Sequence, residues 1–425
     1  MIYFFVLITG MLISKIVAIF DKKMRKFFLL RNEEFSRIEK YFTQKKNKNN
    51  KVIWFHAASA GEFEQVKPLI EKFKSTLKNT QIIVSFFSPS GYEAGIKYDK
   101  IDFCFNLPID FRKNANRLLD SIRPYIIIYS KYDVWTNLTV EAHKRGVKLA
   151  LVSATLPAKS FRHRFPFRIF FSKAYSLLNK IYAISEADAK RFRKMTNYRH
   201  NEILAPGDTR FERVKNVIDR SRSQVKNILL KEKDSFYFVA GSTYKKSEKK
   251  LITAMKRFGL DGTRVRLILV PHEINSENIR TLKKSITSSG FNPVCYSETS
   301  IPVSIKDNEI LIVDVFGILA ILYKEADVVF VGGSFKGSIH SVLEPAVFGK
   351  PILTGPYISN SYEAIKLRES GGLILCKNKN ELYNGISRLL NDKDYRLKTC
   401  QITKNFFNKN TGAVKFILKD IKSLL

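Results

Sequence analysis

Glu62 stands where a carboxylate could do chemistry. It lies in HAASAGEF (residues 56–63), between the apolar run KVIWF and the helix-like EQVKPLIEKFKSTL. In an open parallel α/β sheet, ligands bind outside the carboxyl ends of strands, and this corner is such an end. Ser59, Ala60 and Gly61 are small enough for a ligand to approach the main chain, and a helix start offers free N–H groups. An ionised Glu62 there can take a proton from a hydroxyl nucleophile such as a sugar's. The competing reading is an ordinary acid stabilising a first helical turn. The helix dipole also lowers basicity, so a useful base at this position needs burial to offset it. His56 reads either as a packing histidine at a strand end or as a substrate contact.

A second constellation is VFVGGSFKGSIHSVLEPAVFGKPILTGPY (residues 329–357). Gly332 and Gly333 follow an apolar run and permit a tight turn and close ligand approach. Glu344, near a helix start, can accept hydrogen bonds from vicinal hydroxyls of a ribose. Lys336 and His340 offer donors to phosphate or carboxylate. A purely structural turn is the alternative. DKD (residues 392–394) imitates a metal-binding D-x-D motif, but its position between a helix and YRLK makes it a helix cap. RHRFPFRIFF (residues 162–171) interleaves basic and aromatic residues, a pattern suited to RNA, an anionic membrane surface or a phosphorylated glycolipid.

The elements that must position these residues alternate. KVIWFHAA, QIIVSFF, PYIIIYS, VKLALVSA, KIYAIS and NEILAPG are short apolar runs separated by helical stretches. The pattern restarts near residue 235 with SFYFVAGS, RVRLILVPHE, EILIVDVFG, ADVVFVGGS, KPILTGPY and GLILC. Continuous apolar runs alternating with helices indicate parallel sheets covered on both faces. The expected fold class is therefore α/β, with two Rossmann-like domains facing across a cleft. Their boundary falls in a charged helix from about Val214 to Lys233. The expected divisions are an anchor at 1–21, an N-terminal Rossmann-like domain at 22–215 and a C-terminal one at 216–425.

The 425 residues carry 73 Lys and Arg against 39 Asp and Glu, a net +34. Such a chain attracts polyanions: nucleic acid, anionic lipid or phosphorylated substrates. Part of that charge also fits a compositional bias toward Lys, Asn, Ile and Phe. The four cysteines, Cys104, Cys295, Cys376 and Cys400, are far apart, with no zinc spacing, and fit reduced cytoplasmic thiols. MIYFFVLITGMLIS, interrupted at Lys15 and resumed by IVAIF, precedes the basic DKKMRK. Ile2 to Phe20 can just cross a bilayer of about 30 Å, with Lys15 snorkelling. Basic residues after the apolar stretch argue against a cleavable signal and place the remainder on the cytoplasmic side. The expectation is an uncleaved membrane anchor or a monotopic insertion.

With these motifs in hand, the chain resembles the Kdo transferases of lipopolysaccharide synthesis, which add 3-deoxy-D-manno-octulosonic acid to the lipid A precursor. HAASAGEFEQVKPLI is similar to that family's H-A-x-S-x-G-E stretch. GDTRFERV (residues 207–214) resembles its G-N-x-K/R-F-D segment, and VAGSTYKKSEK, with Ser242, its A-G-S-T segment. GGSFKGSIHSVLEPAVFGKPILTGPY resembles its G-G-S…L-E-P-A block. The resemblance implies a GT-B fold, CMP-Kdo as donor, lipid IVA as acceptor, inversion at the anomeric carbon, and no cofactor or metal. It assigns Glu62 as general base and Arg210 as the cation that steadies departing CMP, with Asp133 a further catalytic acid. It assigns nucleotide contacts to Pro271 and His272, to Phe316, Gly317, Ile318 and Leu319, and to Ser341, Val342, Leu343 and Glu344. Ser59, Gly61, Ser242, Lys336 and His340 are implied substrate contacts.

The departures are specific. KYDVWTN (residues 131–137) stands where relatives have E-T-E-L-W-P-N, so Lys131 replaces an acid and Asp133 keeps one. The turn Pro-Arg-His-Pro-Glu-Arg shrinks to PHE (residues 271–273), losing two arginines; Lys245 and Lys246 are the candidates to supply the missing charge. Ser341 stands for an Asn. The expected partners are CMP-Kdo, lipid IVA and anionic lipid of the inner membrane, without nucleic acid. The rivals are a UDP-sugar glycosyltransferase or epimerase of the same fold, and a basic nucleic-acid-binding protein.

Overall fold

The computed structural model describes residues 2–44, 50–197, 202–221, 228–260 and 264–424. The chain divides into two compact units. One comprises residues 1–213 together with 411–425, the other residues 214–410.

In the first unit, seven strands form one parallel sheet: β1 (Lys51–Ala57), β2 (Thr80–Phe86), β3 (Phe103–Asn106), β4 (Ile126–Ser130), β5 (Lys148–Ala154), β6 (Lys180–Ala183) and β7 (Glu202–Leu204). Their order is β3-β2-β1-β4-β5-β6-β7. The apolar runs are continuous because both faces are covered. Val52 and Trp54 of β1 join one core cluster, while Ile53, Phe55 and Ala57 join the other. The chain leaves β1 toward β2, then returns to β4 on the other side, so the carboxyl end of β1 is a topological switch point.

The second unit repeats the plan with β8 (Phe236–Thr243), β9 (Val265–Pro271), β10 (Asn292–Cys295), β11 (Glu309–Ile312), β12 (Val328–Val331), β13 (Ile352–Thr354) and β14 (Leu373–Leu375). The order is β10-β11-β9-β8-β12-β13-β14. Here β8 lies between β9 and β12, so its carboxyl end is the corresponding switch point.

Two expectations need correction. The final residues do not belong with the second unit. The helix Ala413–Ile421 buries Val414, Ile417, Leu418 and Ile421 among β-sheet residues of the first. Its Asp420 bonds Lys180 Nζ and Tyr182 Oη, both at 2.7 Å. Its apolar face matches the first unit's sheet face, and that match, more than sequence order, decides where it sits. The boundary helix is also earlier than expected, running Arg210–Ser221 and carrying the division between units within it. Residues 222–227 of the expected helix lie outside the described residues, as does most of the polar loop KKNKNNK.

The N-terminal apolar stretch is one helix, Ile2–Phe20, with no residue of its Tyr3–Phe20 window fully buried. A short amphipathic helix, Lys22–Leu29, follows after Asp21, whose carboxylate accepts from Met24 N. The Asp392 carboxylate caps the helix Lys393–Lys409 by accepting from Tyr395 N at 2.8 Å, which accounts for DKD.

Candidate active site

Glu62 lies in the first turn of the helix Ala60–Thr76, directly after β1. Ser59 is the N-cap; its hydroxyl accepts from Glu62 N at 3.4 Å, while Glu62 Oε2 accepts from Ala58 N at 2.7 Å. This reciprocal pair fixes the carboxylate against the strand end, as a capping box does. Gly61 is exposed and Ser59 half-buried, but Glu62 itself is only 5% exposed. Burial pushes its carboxyl up to about 7, and the neighbouring Asp133 carboxylate pushes the same way. The Ala58 N–H, Lys131 and Arg162 pull it down. Burial therefore overcomes the helix start, as a base at this corner requires.

Asp133 arrives from β4, the direct neighbour of β1 in the sheet. Lys131, just past β4, adopts φ +66°, a left-handed turn that a lysine side chain rarely takes. Asp133 accepts from Arg162 Nη2 at 2.9 Å, and burial raises its carboxyl despite Arg162 and Lys131. The Arg162 guanidinium lies over the rings of Tyr132, Phe161 and Phe171, 4.1–4.9 Å from their centroids. The structure thus gathers two mutually repelling carboxylates and two cations at one strand edge. Arg162 was legible in the sequence only as part of a basic-aromatic run; its partner is contributed by a different strand end.

Arg210 opens its own helix from the loop after β7. Its N–H and guanidinium bond the carboxylate of the buried Asp208, at 2.9 Å from the main chain and 2.6 and 2.8 Å from the side chain. The adjoining Thr209 Oγ1 donates to Gln65 O at 2.6 Å and lies 2.7 Å from Ser153 Oγ. The Arg210 loop therefore rests on the same helix that carries Glu62, one turn later. Asp208, which orients the arginine, precedes it by two residues in GDTRF.

His56 is a packing residue, and its substrate-contact reading is overturned. It is fully buried. One ring nitrogen meets Ser85 Oγ at 2.9 Å and the other accepts from Trp135 Nε1 at 2.8 Å. Burial lowers its pKa to about 3, so the ring is neutral.

In the second unit, the carboxyl ends of β8, β9 and β12 converge. Ser242 takes φ +53° beside Gly332, where an added Cβ would lie 2.0 Å from Ser242 O. Only glycine allows this approach. Gly333 takes φ +88°. Tyr244 Oη lies 3.2 Å from His340 Nε2, the rings of His272 and His340 stack at 4.4 Å, and Lys336 Nζ sits 4.4 Å over the Tyr244 ring. Burial, His272 and Lys336 lower the His340 pKa. A cavity of about 590 Å³ adjoins them, lined in part by Lys245, Lys246, Pro271, Gly333 and Lys336. Tyr244 was not singled out from the sequence, although it follows Ser242 and Thr243 directly.

The remaining expected contacts are more dispersed. Phe316 and Gly317 are exposed, and Ile318 and Leu319 are half-buried at the start of the helix Leu319–Glu325. Ser341 is exposed, but Val342 and Leu343 are buried, so only their main chain can meet a ligand. This corrects any side-chain role for them: both belong to the packing under the loop. Burial raises the Glu344 carboxyl. Among the described residues, no set of three or more His, Cys, Asp or Glu side chains is gathered to hold a metal.

Residues 32–213 match the family model described as 3-Deoxy-D-manno-octulosonic-acid transferase (kdotransferase). The 3-deoxy-D-manno-octulosonic acid transferase of Rickettsia prowazekii is 26% identical over 377 residues, 88% of this chain and 78% of that protein. The enzyme of the same name from Chlamydia muridarum is 27% identical over 369 residues, 85% of this chain and 83% of the relative. Among solved structures, the UDP-GlcNAc 2-epimerase of Neisseria meningitidis bound to UDP-GlcNAc is similar in fold, with a TM-score of 0.62 at 12% identity, covering 88% of this chain and all of that one. At that identity the likeness shows the two-Rossmann GT-B class of fold alone. Residues 32–213 thus match a Kdo transferase family model, and Kdo transferases about a quarter identical to this chain align with most of its length.

Proposed function

We propose that this chain moves Kdo from CMP-Kdo to the lipid A precursor lipid IVA, with inversion, at the cytoplasmic face of the inner membrane. Glu62 carries the reading: a buried carboxylate in the stretch that matches the Kdo transferase family model, at a strand-end switch point, with a proton affinity near neutrality. Ionised Glu62 accepts the proton of the acceptor hydroxyl as its oxygen bonds the anomeric carbon. The bond from that carbon to the CMP phosphate oxygen breaks, and its electron pair leaves with CMP. Arg210, held by Asp208, supplies a fixed guanidinium for the developing phosphate charge. No resident metal is needed in this scheme.

On the second unit, Glu344 is proposed to accept from the donor's ribose hydroxyls. Among the described residues its carboxylate makes no hydrogen bond, so it is available to a ligand. Lys336, His340, Lys245 and Lys246 are proposed to face the donor's anionic groups. The apolar N-terminal helix and the net charge of +34 support a membrane-bound acceptor. Its acyl chains leave lipid only at a cost of about 0.8 kcal/mol per CH₂, so the enzyme must work at the bilayer surface.

Incubation of the full chain with CMP-Kdo and a tetraacyl acceptor, followed by mass spectrometry, is expected to show acceptor heavier by one or more Kdo units. Glu62→Ala is expected to cut transfer about a hundred- to ten-thousand-fold with CMP binding retained; full turnover by that variant would remove Glu62 from the mechanism. The rival reading is a UDP-sugar enzyme of the same fold. Thermal stabilisation by UDP but not CMP would establish it in place of the first.

A further inference from the structure

The N-terminal helix Ile2–Phe20 is long enough to span a bilayer, yet it is attached to the first unit near both ends. At its start, Tyr3 Oη donates to Asp110 Oδ2 at 2.8 Å, and the Tyr3 ring lies 5.3 Å from Phe170. Phe4 meets Phe111 at 5.9 Å. Asp110 is buried, and its two oxygens also accept from Asn137 N and Leu138 N, so this anchor point is part of the folded body. At the other end, Arg25 donates to the Ala18 and Ile19 carbonyls. The next helix, Lys22–Leu29, is locked down by buried Phe27 against Phe87 and by Arg31, which donates to Phe27 O, Phe87 O and Leu107 O.

The exposure pattern agrees. Tyr3, Leu7, Met11, Ser14 and Ala18 are half-buried, spaced three or four residues apart, and so form one face. Phe5, Leu12, Ile16 and Ile19, on the opposite side, are exposed and apolar. Lys15 falls at the border, roughly 80° from the centre of the shielded stripe on a helix of 3.6 residues per turn. A helix crossing a bilayer would be faced by lipid all round, and the buried Asp110 and its protein surroundings could not follow Tyr3 through about 28 Å of rise.

Resting on the membrane reading above, we infer that this helix lies in the plane of one leaflet as a monotopic insertion element, with its shielded face on the first unit and its apolar face in lipid. The occupant of that face is an anionic bilayer. Exposed cations accompany exposed apolar residues: Lys22 and Lys23 follow Phe20, and Arg164 and Arg168 share with exposed Phe165 and Ile169 the segment whose Phe170 meets Tyr3. That arrangement, an apolar face accompanied by Lys and Arg, is the signature of an interfacial helix. Both helix ends then lie on the same side of the membrane.

Depth measurements test it. Phe5, Leu12 and Ile19 share the exposed face at seven-residue spacing. Each is replaced by Cys in a Cys400→Ser background, since Cys104, Cys295 and Cys376 are buried. The full-length variants, spin-labelled and reconstituted into vesicles of phosphatidylethanolamine and phosphatidylglycerol, are read by oxygen against a water-soluble nickel relaxant. The expected result is three shallow depths differing by no more than a few ångströms. A spanning helix would instead put Leu12 deeper than both ends by about 10 Å, the rise over seven residues, and would overturn the in-plane inference while leaving membrane anchoring intact. Three labels open to the water-soluble relaxant would overturn both.

Discussion

Glu62 is a better base than its place at a helix start allows, because it is buried beside a second carboxylate. Its pKa of about 7 follows from burial first and from Asp133 second. As the proposed base must be ionised, transfer should rise with pH through about 7. Asp133→Asn removes one negative charge and frees Arg162, and both changes favour ionised Glu62. The rising limb of the pH–rate profile should therefore move to lower pH; a limb that stays in place would show that the two carboxylates do not communicate. The same shift has a stability consequence. The neutral buried carboxyl contributes its stability fully below the usual glutamate value near 4.5, and that contribution is lost as pH rises through about 7. Glu62→Gln keeps a neutral acceptor for Ala58 N, so it should stabilise the fold at pH 8 by on the order of 2 kcal/mol, and hardly at all at pH 4. Thermal or denaturant unfolding at the two pH values checks this.

At the scale of elements, the helix Ala413–Ile421 closes the first unit with the last residues of the chain. Lys180 is nearly buried and answers to Asp420 at 2.7 Å and Glu202 at 3.0 Å, while the Tyr182 hydroxyl shares Asp420. Asp420→Ala leaves that hydroxyl without its acceptor and Lys180 with one partner. It should destabilise the protein by about 2 kcal/mol, read as a lowered denaturant midpoint. Twelve strands are legible as apolar runs, from KVIWFHAA to GLILC. The two that are not, β3 and β10, are the four-residue edge strands FCFN and NPVC. The other two edge strands, EIL and LIL, are shorter still but carry adjacent aliphatic residues, whereas FCFN has none and Pro293 interrupts NPVC, so neither stands out as a run.

For the whole molecule, the membrane reading proposed above gives charge and apolar surface separate parts. On that reading the net +34 would attract an anionic surface over a range set by salt, whereas insertion of the N-terminal helix into lipid would be insensitive to salt. Binding to anionic vesicles should therefore weaken as salt rises from 0.05 toward about 0.5 M and level off at a residual value; vesicle flotation across that series measures both parts. Deleting residues 2–20 should abolish the residual binding and leave only the salt-sensitive part. Complete release of the intact chain at high salt would contradict a lipid-inserted helix.

The sequence by itself determined the alternating α/β plan, the two Rossmann-like halves, the apolar N-terminal helix and the glycine-rich and acidic corners. These follow from local pattern: continuous apolar runs, helical spacing, and residues suited to tight turns. Only the tertiary structure decided that Asp133 and Arg162 stand beside Glu62, that Asp208 and Thr209 fix the Arg210 loop on the Glu62 helix, that His56 is sealed by Ser85 and Trp135, and that the final helix returns to the first unit. Each of these depends on strand order and face matching between segments far apart in the chain, and no local pattern of residues encodes which distant partner a side chain will meet.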